Sequence, residues 1–324
     1  MNFMDELFDI SIIIVNWNTK ELLLKCVSSI EQEINQYKVE IIVVDNASND
    51  GSVQALKDFY PHVKLIQNKE NLGFAKANNI GIKSSSGKYV CLANSDVELR
   101  DDCLFRMYDY MDKHQQIAVL GPKVFYPDMR NQVSCTNFPT LWNNFCEASG
   151  LHKISHLSKI FSGEYMRYYH HNAILKVDSL VGCFLMVRRN AIDQVGLLDE
   201  RFFIYAEEVD WCKRFRNAGW DIVFLPDASV IHHDASSSAK EPLRFSTELL
   251  KSQIKYWKKH RSKIAVLIFL LIIVVNHGVR LILGSILYII KPSQRTENTK
   301  RLLKNYSALK YIFCREYISG RTLH

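Results

Sequence analysis

Residues 39–52 read Val-Glu-Ile-Ile-Val-Val-Asp-Asn-Ala-Ser-Asn-Asp-Gly-Ser. The first six are a mostly β-branched apolar run, the pattern of a buried strand, and the run breaks at once into acids, amides and a glycine. The same arrangement lies on both sides of it. Residues 10–15 form a continuous apolar run that ends in Asn16-Trp17-Asn18-Thr19. Residues 63–66, Val-Lys-Leu-Ile, read as a third strand, and residues 89–93 end in Asn94-Ser95-Asp96-Val97-Glu98. Between the runs, 52–60 and 74–84 have helical patterning, and Asn18 with Glu21 is placed to cap the amphipathic segment that follows the first strand. Strand and helix in alternation predict a mostly parallel α/β sheet with right-handed crossovers, whose ligands bind at the carboxyl ends of the strands. Asn, Asp, Ser and Gly are ordinary turn residues. Their recurrence at three strand ends is what marks 16–19, 45–52 and 94–98 as candidate site segments.

A chain of 324 residues, 48% hydrophobic, can hold one large domain and an appendage. Its eight cysteines include no C-x-x-C pair, which argues against a zinc knuckle, redox pair or disulfide framework and for reduced, buried thiols. No Rossmann glycine fingerprint follows the first strand. Residues 81–88 resemble a phosphate loop with one residue too many between the glycines, and Tyr89 stands where Ser or Thr should bind magnesium. The first six residues carry two acids and no basic region, so they do not read as a secretory signal, and the catalytic part is expected in the cytoplasm.

Charge divides the chain. Residues 240–324 carry a net +13 and residues 1–239 a net −6. A basic block beside an apolar segment points to an anionic membrane surface rather than to nucleic acid. That segment is apolar over 264–275, interrupted by Asn276-His277-Gly278-Val279-Arg280, and apolar again over 281–290 apart from Gly284 and Ser285. About 20 apolar residues span a bilayer, and an internal Arg is costly there. The expectation is a membrane-embedded hairpin bending at 276–278, or helices lying in the interface, rather than a clean span. Lys251, Lys255, Lys258, Lys259, Arg261 and Lys263 would then meet lipid head groups. The expected domains are 1–240, catalytic, with halves 1–125 and 126–240, and 241–324, for membrane association.

The motifs resemble those of family 2 glycosyltransferases, in particular the rhamnosyltransferase-like branch. Those that carry the resemblance are Asn16-Trp17-Asn18, Val44-Asp45-Asn46-Ala47-Ser48-Asn49-Asp50-Gly51, Asn71-Leu72-Gly73-Phe74-Ala75, Ala77-Asn78-Asn79-Ile80-Gly81 and Leu92-Ala93-Asn94-Ser95-Asp96. Downstream follow Val181-Gly182-Cys183-Phe184, Val195-Gly196-Leu197-Leu198-Asp199-Glu200, Glu207-Glu208-Val209-Asp210-Trp211-Cys212 and Val230-Ile231-His232-His233. The resemblance covers residues 10–235. It implies a GT-A fold, an inverting single displacement, a divalent metal (Mn²⁺ or Mg²⁺), a nucleotide-sugar donor (dTDP- or UDP-linked) and a glycan or lipid-linked acceptor; the N-terminus and the basic tail add the expectation of a cytoplasmic membrane face. Rhamnose is the favoured sugar, with galactose and N-acetylglucosamine as rivals.

The resemblance also assigns residues. Asn16, Asp45, Asn46, Ser48, Gly73, Asn78, Asn79, Asn94 and Asp96 fall at donor positions, although Asn78 stands where relatives often carry Arg. Asp96 matches the second aspartate of the D-x-D motif, Asn94 replaces the first, and His232 matches a histidine near the metal or pyrophosphate. A diphosphate leaving group gathers negative charge as the anomeric carbon becomes oxocarbenium-like, so hard oxygen ligands for a cation are what the chemistry requires. Inversion needs a carboxylate within reach of the acceptor hydroxyl. Glu208 is the first choice, with Asp210 and Glu207 as alternates and Gly182 and Trp211 as acceptor contacts. Three acids in four residues also suit the first turn of any helix. Trp142, Tyr165 and Tyr168 are available to stack on sugars, and His152, His156, His170 and His171 read as loop or surface residues. Two other functions share parts of this pattern: a nucleotide-sugar-binding scaffold without turnover, and a sugar nucleotidyltransferase.

Overall fold

The computed structural model describes residues 8–34, 37–154, 158–233 and 241–314; His156, Asp234 and the N-terminal acids lie outside them. Two compact units form, Met1–Phe138 with Tyr165–Ser237 and Pro139–Glu164 with Ser238–His324. Residues 139–164, expected in the acceptor half, thus cluster with the basic tail.

The first unit starts with the expected alternation: β1 (Ile10–Asn16), α1 (Lys20–Glu33), β2 (Val39–Asp45), α2 (Ser52–Phe59), β3 (Lys64–Gln67), α3 (Phe74–Lys83) and β4 (Tyr89–Asn94). Next come β5 (Val97–Arg100), α4 (Cys103–Lys113), β6 (Ile117–Phe125), β7 (Asn131–Gln132) and β8 (Cys135–Thr136). In the second unit lie α5 (Leu141–Ser149) and α6 (Leu151–Ile154). The chain then returns through β9 (Leu175–Lys176), β10 (Ser179–Leu180), β11 (Phe184–Arg188), α7 (Arg189–Val195), α8 (Glu207–Asn217) and β12 (Asp221–His232). The tail is α9 (Pro242–His260), α10 (Lys263–Ile290) and α11 (Arg295–Phe313).

The main sheet runs β3-β2-β1-β4-β11-β6-β12-β5. β1 is parallel to β2 and β4, β2 to β3 and β6 to β12, whereas β11 and β5 are antiparallel to their neighbours. Ile10, Ile12 and Ile14 pack with Leu23, Cys26, Val27 and Ile30, which recur at helical spacing on α1. On the other face, a Cβ at Gly81 would fall 2.4 Å from Ile13 Cγ2, so only glycine lets α3 lie this close to β1. Seven of the eight cysteines are buried and all are free thiols. The expected Asn18 cap is not formed. Asn18 is left-handed (φ 57°) and its side chain accepts from Asn49 N, while Asp50 accepts from Lys20 N at the start of α1.

In the second unit the interruption at 276–280 does not bend the chain, and α10 is one helix of 28 residues. A helical Gly costs only about 1 kcal/mol relative to Ala, which packing outweighs. Trp257 stacks on Phe269 at 4.7 Å, His277 Nδ1 meets Asn305 Oδ1 at 2.7 Å, and a Cβ at Gly284 would lie 3.0 Å from Leu302. α11 therefore returns antiparallel along α10. Ile264, Leu267, Leu271, Val275, Ile282 and Ile286 remain exposed. Among the described residues α10 is the one helix long and apolar enough to cross a membrane.

Candidate active site

Strands β1 and β2 end side by side, with Asn16 opposite Asp45 in the ladder. Asn16 Nδ2 donates to Asp45 Oδ1 at 2.8 Å, and Ser48 N donates to Asp45 Oδ2 at 2.9 Å. Ser48 Oγ accepts from Asn16 Nδ2 (3.0 Å) and from Asn18 N (2.9 Å). A carboxylate has about four acceptor positions, so Asp45 keeps capacity for the N–H of a base after these two bonds. Asn46 Nδ2 donates to Gly73 O at 3.2 Å and Asn46 Oδ1 accepts from Asn68 at 2.8 Å, which fixes the loops around the strand ends.

The turn after β4 carries Asn94, Ser95 and Asp96. β5 crosses from it to the far edge of the sheet, where His232 pairs with Val97 and His233 N donates to Asp96 O at 2.9 Å. That pairing brings His232 Nε2 to 3.3 Å from Asp96 Oδ1 and 3.4 Å from Asn94 Nδ2, while His232 Nδ1 lies 3.0 Å from Gln132 Oε1. With Nδ1–H turned to the Gln132 oxygen, the Nε2 lone pair would face an Asp96 oxygen, a nitrogen–oxygen pair able to hold one cation between them. Two cis ligands of an ion bound at about 2.1 Å stand about 3 Å apart, close to the observed separation. Asp96 and His232 therefore fit a divalent ion that completes its shell with phosphate oxygens and water. Among the described residues no group of three His, Cys, Asp or Glu is gathered.

The acid pair opens α8 after two left-handed residues, Tyr205 (φ 69°) and Ala206 (φ 63°). Such backbone is costly for non-glycine residues and persists where the surroundings over-determine it. Glu207 is buried, Glu208 is half-buried, and Oε2 of each finds no hydrogen-bond partner among the described residues. Burial, then the neighbouring Glu208 charge, holds the Glu207 carboxyl well above its ordinary range, and burial raises Glu208 to about 7. A Cβ at Gly182 would lie 3.4 Å from Glu208 Cβ and Cγ, and the next residue, Cys183, accepts from Asn94 N at 2.9 Å. One short turn thus joins the acid pair to the Asn94–Asp96 turn.

Residues 11–196 match the family described as Glycosyl transferase family 2. The chain belongs to this family. An N-acetylglucosaminyl-diphospho-decaprenol L-rhamnosyltransferase of Mycobacterium tuberculosis is 31% identical over 220 residues, which cover 63% of this chain and 69% of that protein. The dTDP-rhamnosyl transferase RfbF of Shigella flexneri is 26% identical over 70% of each chain. The mannosyltransferase PcManGT of Pyrobaculum calidifontis, solved with GDP-Man and Mn²⁺, superposes with a TM-score of 0.56 at 15% identity over 95% of this chain and 88% of its own. The fold is GT-A, and the chain is a rhamnosyltransferase-like family 2 glycosyltransferase.

Several residues singled out in the sequence have definite partners or settings in the fold. Trp211 is 1% exposed, lies against Phe215, and donates to Gly196 O at 2.8 Å, so it is a core residue and not an acceptor contact. Asp210 is fully buried and accepts from Arg214 Nε at 2.9 Å, which engages its carboxylate in an ion pair. Both Asn78 and Asn79 are buried; Asn78 donates to Phe74 O, and the Asn79 amide bonds Leu198 and Glu200. His171 is buried rather than superficial and accepts from Ser134 N. Trp142 stacks on Phe145 and donates to Ile160 O. Gln132 went unnoticed because a lone Gln in a two-residue strand has no motif or periodicity to mark it. Thr19, within the candidate segment 16–19, bridges Asn16 Oδ1 (2.7 Å) and Ser95 Oγ (2.6 Å).

Proposed function

We propose that this family 2 glycosyltransferase transfers rhamnose from a dTDP-linked donor, with inversion, onto a lipid-linked acceptor at the cytoplasmic face of a membrane. One chain of contacts carries this reading: Glu208 against Gly182, and Cys183 O bonded to Asn94 N, beside Asp96 and His232. A proton acceptor and an anion-stabilising turn stand on the two sides of one short segment, as a single displacement needs. Asp45 and Asn16 would hold the pyrimidine and ribose. Asn94, Asp96 and His232 would face the diphosphate, and Glu208 would take the acceptor proton. Asp96 and His232 would hold a divalent ion, which when bound neutralises charge on the leaving diphosphate. Incubating purified protein with dTDP-, UDP- and GDP-sugars and a polyprenyl-diphosphate-sugar acceptor, with NMR of the product anomer, tests the reading. A preferred donor other than dTDP-rhamnose, or retention, overturns the corresponding part.

His232→Ala is expected to weaken Mn²⁺-dependent binding of the nucleoside diphosphate by roughly tenfold, about 1.4 kcal/mol, and Mg²⁺-dependent binding less. Imidazole suits Mn²⁺ better than Mg²⁺, so titration calorimetry with each ion separates a ligand from a structural histidine. Equal losses with both ions would assign His232 a structural part.

For the membrane, the continuous apolar face of α10 and the basic tail favour a helix lying in the interface. Because α11 lies along α10, a span would draw Lys300, Arg301 and Lys304 toward the bilayer centre at about 2.5–3.5 kcal/mol each. The double variant Leu271→Glu/Ile282→Glu alters two exposed positions and is expected to abolish flotation with anionic vesicles while donor hydrolysis persists. Undiminished flotation would remove this face from the contact.

A further inference from the structure

Residues 196–206, which join α7 to α8, are hydrogen-bonded on two sides. From α8, Trp211 Nε1 donates to Gly196 O at 2.8 Å, and the Arg214 guanidinium donates to Val195 O (3.1 Å) and Leu197 O (2.8 Å). From α3, Asn79 engages both backbone groups of Leu198. Its Oδ1 accepts from Leu198 N at 3.1 Å, and its Nδ2 donates to Leu198 O at 2.9 Å and to Glu200 Oε1 at 3.0 Å. Farther along, Phe203 O accepts from Phe74 N at 2.6 Å. Gly73 (φ 83°) makes that approach possible, since a Cβ there would stand 2.4 Å from Phe203 O. Gly73 O accepts in turn from Asn46 Nδ2, and Asn46 N donates to Asn16 O at 2.8 Å. A continuous path of bonds therefore runs from the ends of β1 and β2 to the residues preceding Glu207. The last two of these, Tyr205 and Ala206, are left-handed, a backbone state held only while its flanks are fixed.

We propose that Asn79 is a positioning residue: by clamping the 198–200 segment to α3 it sets where α8 presents Glu208 to the acceptor. This rests on the reading of Glu208 as proton acceptor. At 1% exposure, with its amide engaged on both sides, Asn79 is poorly placed to touch the donor.

Asn79→Asp keeps the side-chain size and the acceptor for Leu198 N, but it turns both donated bonds into oxygen–oxygen contacts, one of them with the Glu200 carboxylate. The expected result is a fall of about 10²-fold in transfer kcat, the scale of a misplacement near 1 Å, with donor KM within about threefold. Amide hydrogen exchange across residues 203–210 rises in the same variant. Adding Glu200→Gln supplies an N–H in the reverse direction and restores part of kcat. A raised donor KM at unchanged kcat would make Asn79 a donor contact, and a lowered Tm with kcat and exchange unchanged would make it a packing residue; either overturns the proposal. Should Asn79→Asp fail to fold, Glu200→Ala removes one arm of the clamp at an exposed position. A smaller loss of kcat with faster exchange at 203–210 is then expected, and no change in either overturns the clamp. If the parent chain transfers sugar from no donor, the sugar-transfer reading fails and the exchange measurement alone decides the clamp.

Discussion

Glu208→Gln is expected to transfer sugar roughly 10²–10⁴-fold more slowly than the parent chain, the usual contribution of a general base, while binding donor with unchanged affinity. Gln keeps the size and much of the hydrogen bonding of Glu and removes only the proton acceptor. A lost metal ligand would behave differently, weakening donor binding together with turnover, so measuring both quantities separates the roles. The pH profile gives a second check. Burial raises Glu208 to about 7, so its basic form accumulates above that pH, and kcat/KM of the parent should climb through a limb near 7. Stability runs the other way. A carboxyl whose folded pKa exceeds its unfolded value stabilises fully below the ordinary 4.5, and that contribution is lost as pH rises through about 7. Glu208→Gln has no such proton to lose, so its Tm should gain on that of the parent as pH rises from about 4.5 to about 7 and hold that gain above it. Burial, then the Glu208 charge, holds the Glu207 carboxyl well above its ordinary range as well. Asp210→Asn should cost stability through the Arg214 pair. A Glu208→Gln enzyme of near-parental rate beside an inactive Asp210→Asn with intact donor binding would reverse the assignment.

Asp96→Ala should all but abolish metal-dependent binding of the nucleoside diphosphate and leave the fold intact. The carboxylate lies 3.3 Å from His232 Nε2 at a strand-end turn, and the neighbouring backbone bond, His233 N to Asp96 O, survives truncation to alanine. Loss of a hard oxygen ligand from a two-ligand site removes several kcal/mol of charge stabilisation, on the order of 10²–10³-fold in affinity. Titration calorimetry with and without Mn²⁺ measures it, and circular dichroism checks the fold. Retained metal-dependent affinity in Asp96→Ala would take Asp96 out of the ion site.

The strands at 10–15, 39–44, 63–66 and 89–93 were legible because each is a short, largely apolar run that breaks into polar residues, and in the structure each lies within one residue of its expected position. Asn16, Asp45, Asn94 and Asp96 follow from the same pattern, because the carboxyl ends of neighbouring parallel strands converge whatever the loops do. The single helix of α10 was not legible. A local Asn-His-Gly signal suggests a bend, and its cancellation depends on α11, a segment close in sequence whose packing partners no periodicity identifies.

By itself the sequence determined the alternating α/β architecture, the family, and the residue types available at three strand ends, since all of these follow from patterns a few residues long. Tertiary structure alone decided which of those residues are buried, paired or left with an open polar atom. Glu208 and Asp210 are two positions apart on one helix, yet the first lies beside Gly182 with an unbonded, buried carboxylate oxygen and the second is paired with Arg214. Trp211 and Asn79 carry family motifs but face inward, and Gln132 carries none but reaches His232 across 100 residues of sequence. The physical reason is that a side chain's chemistry is fixed by its covalent structure, whereas its pKa, partners and access to solvent depend on burial and on neighbours that only the folded chain brings within a few ångströms.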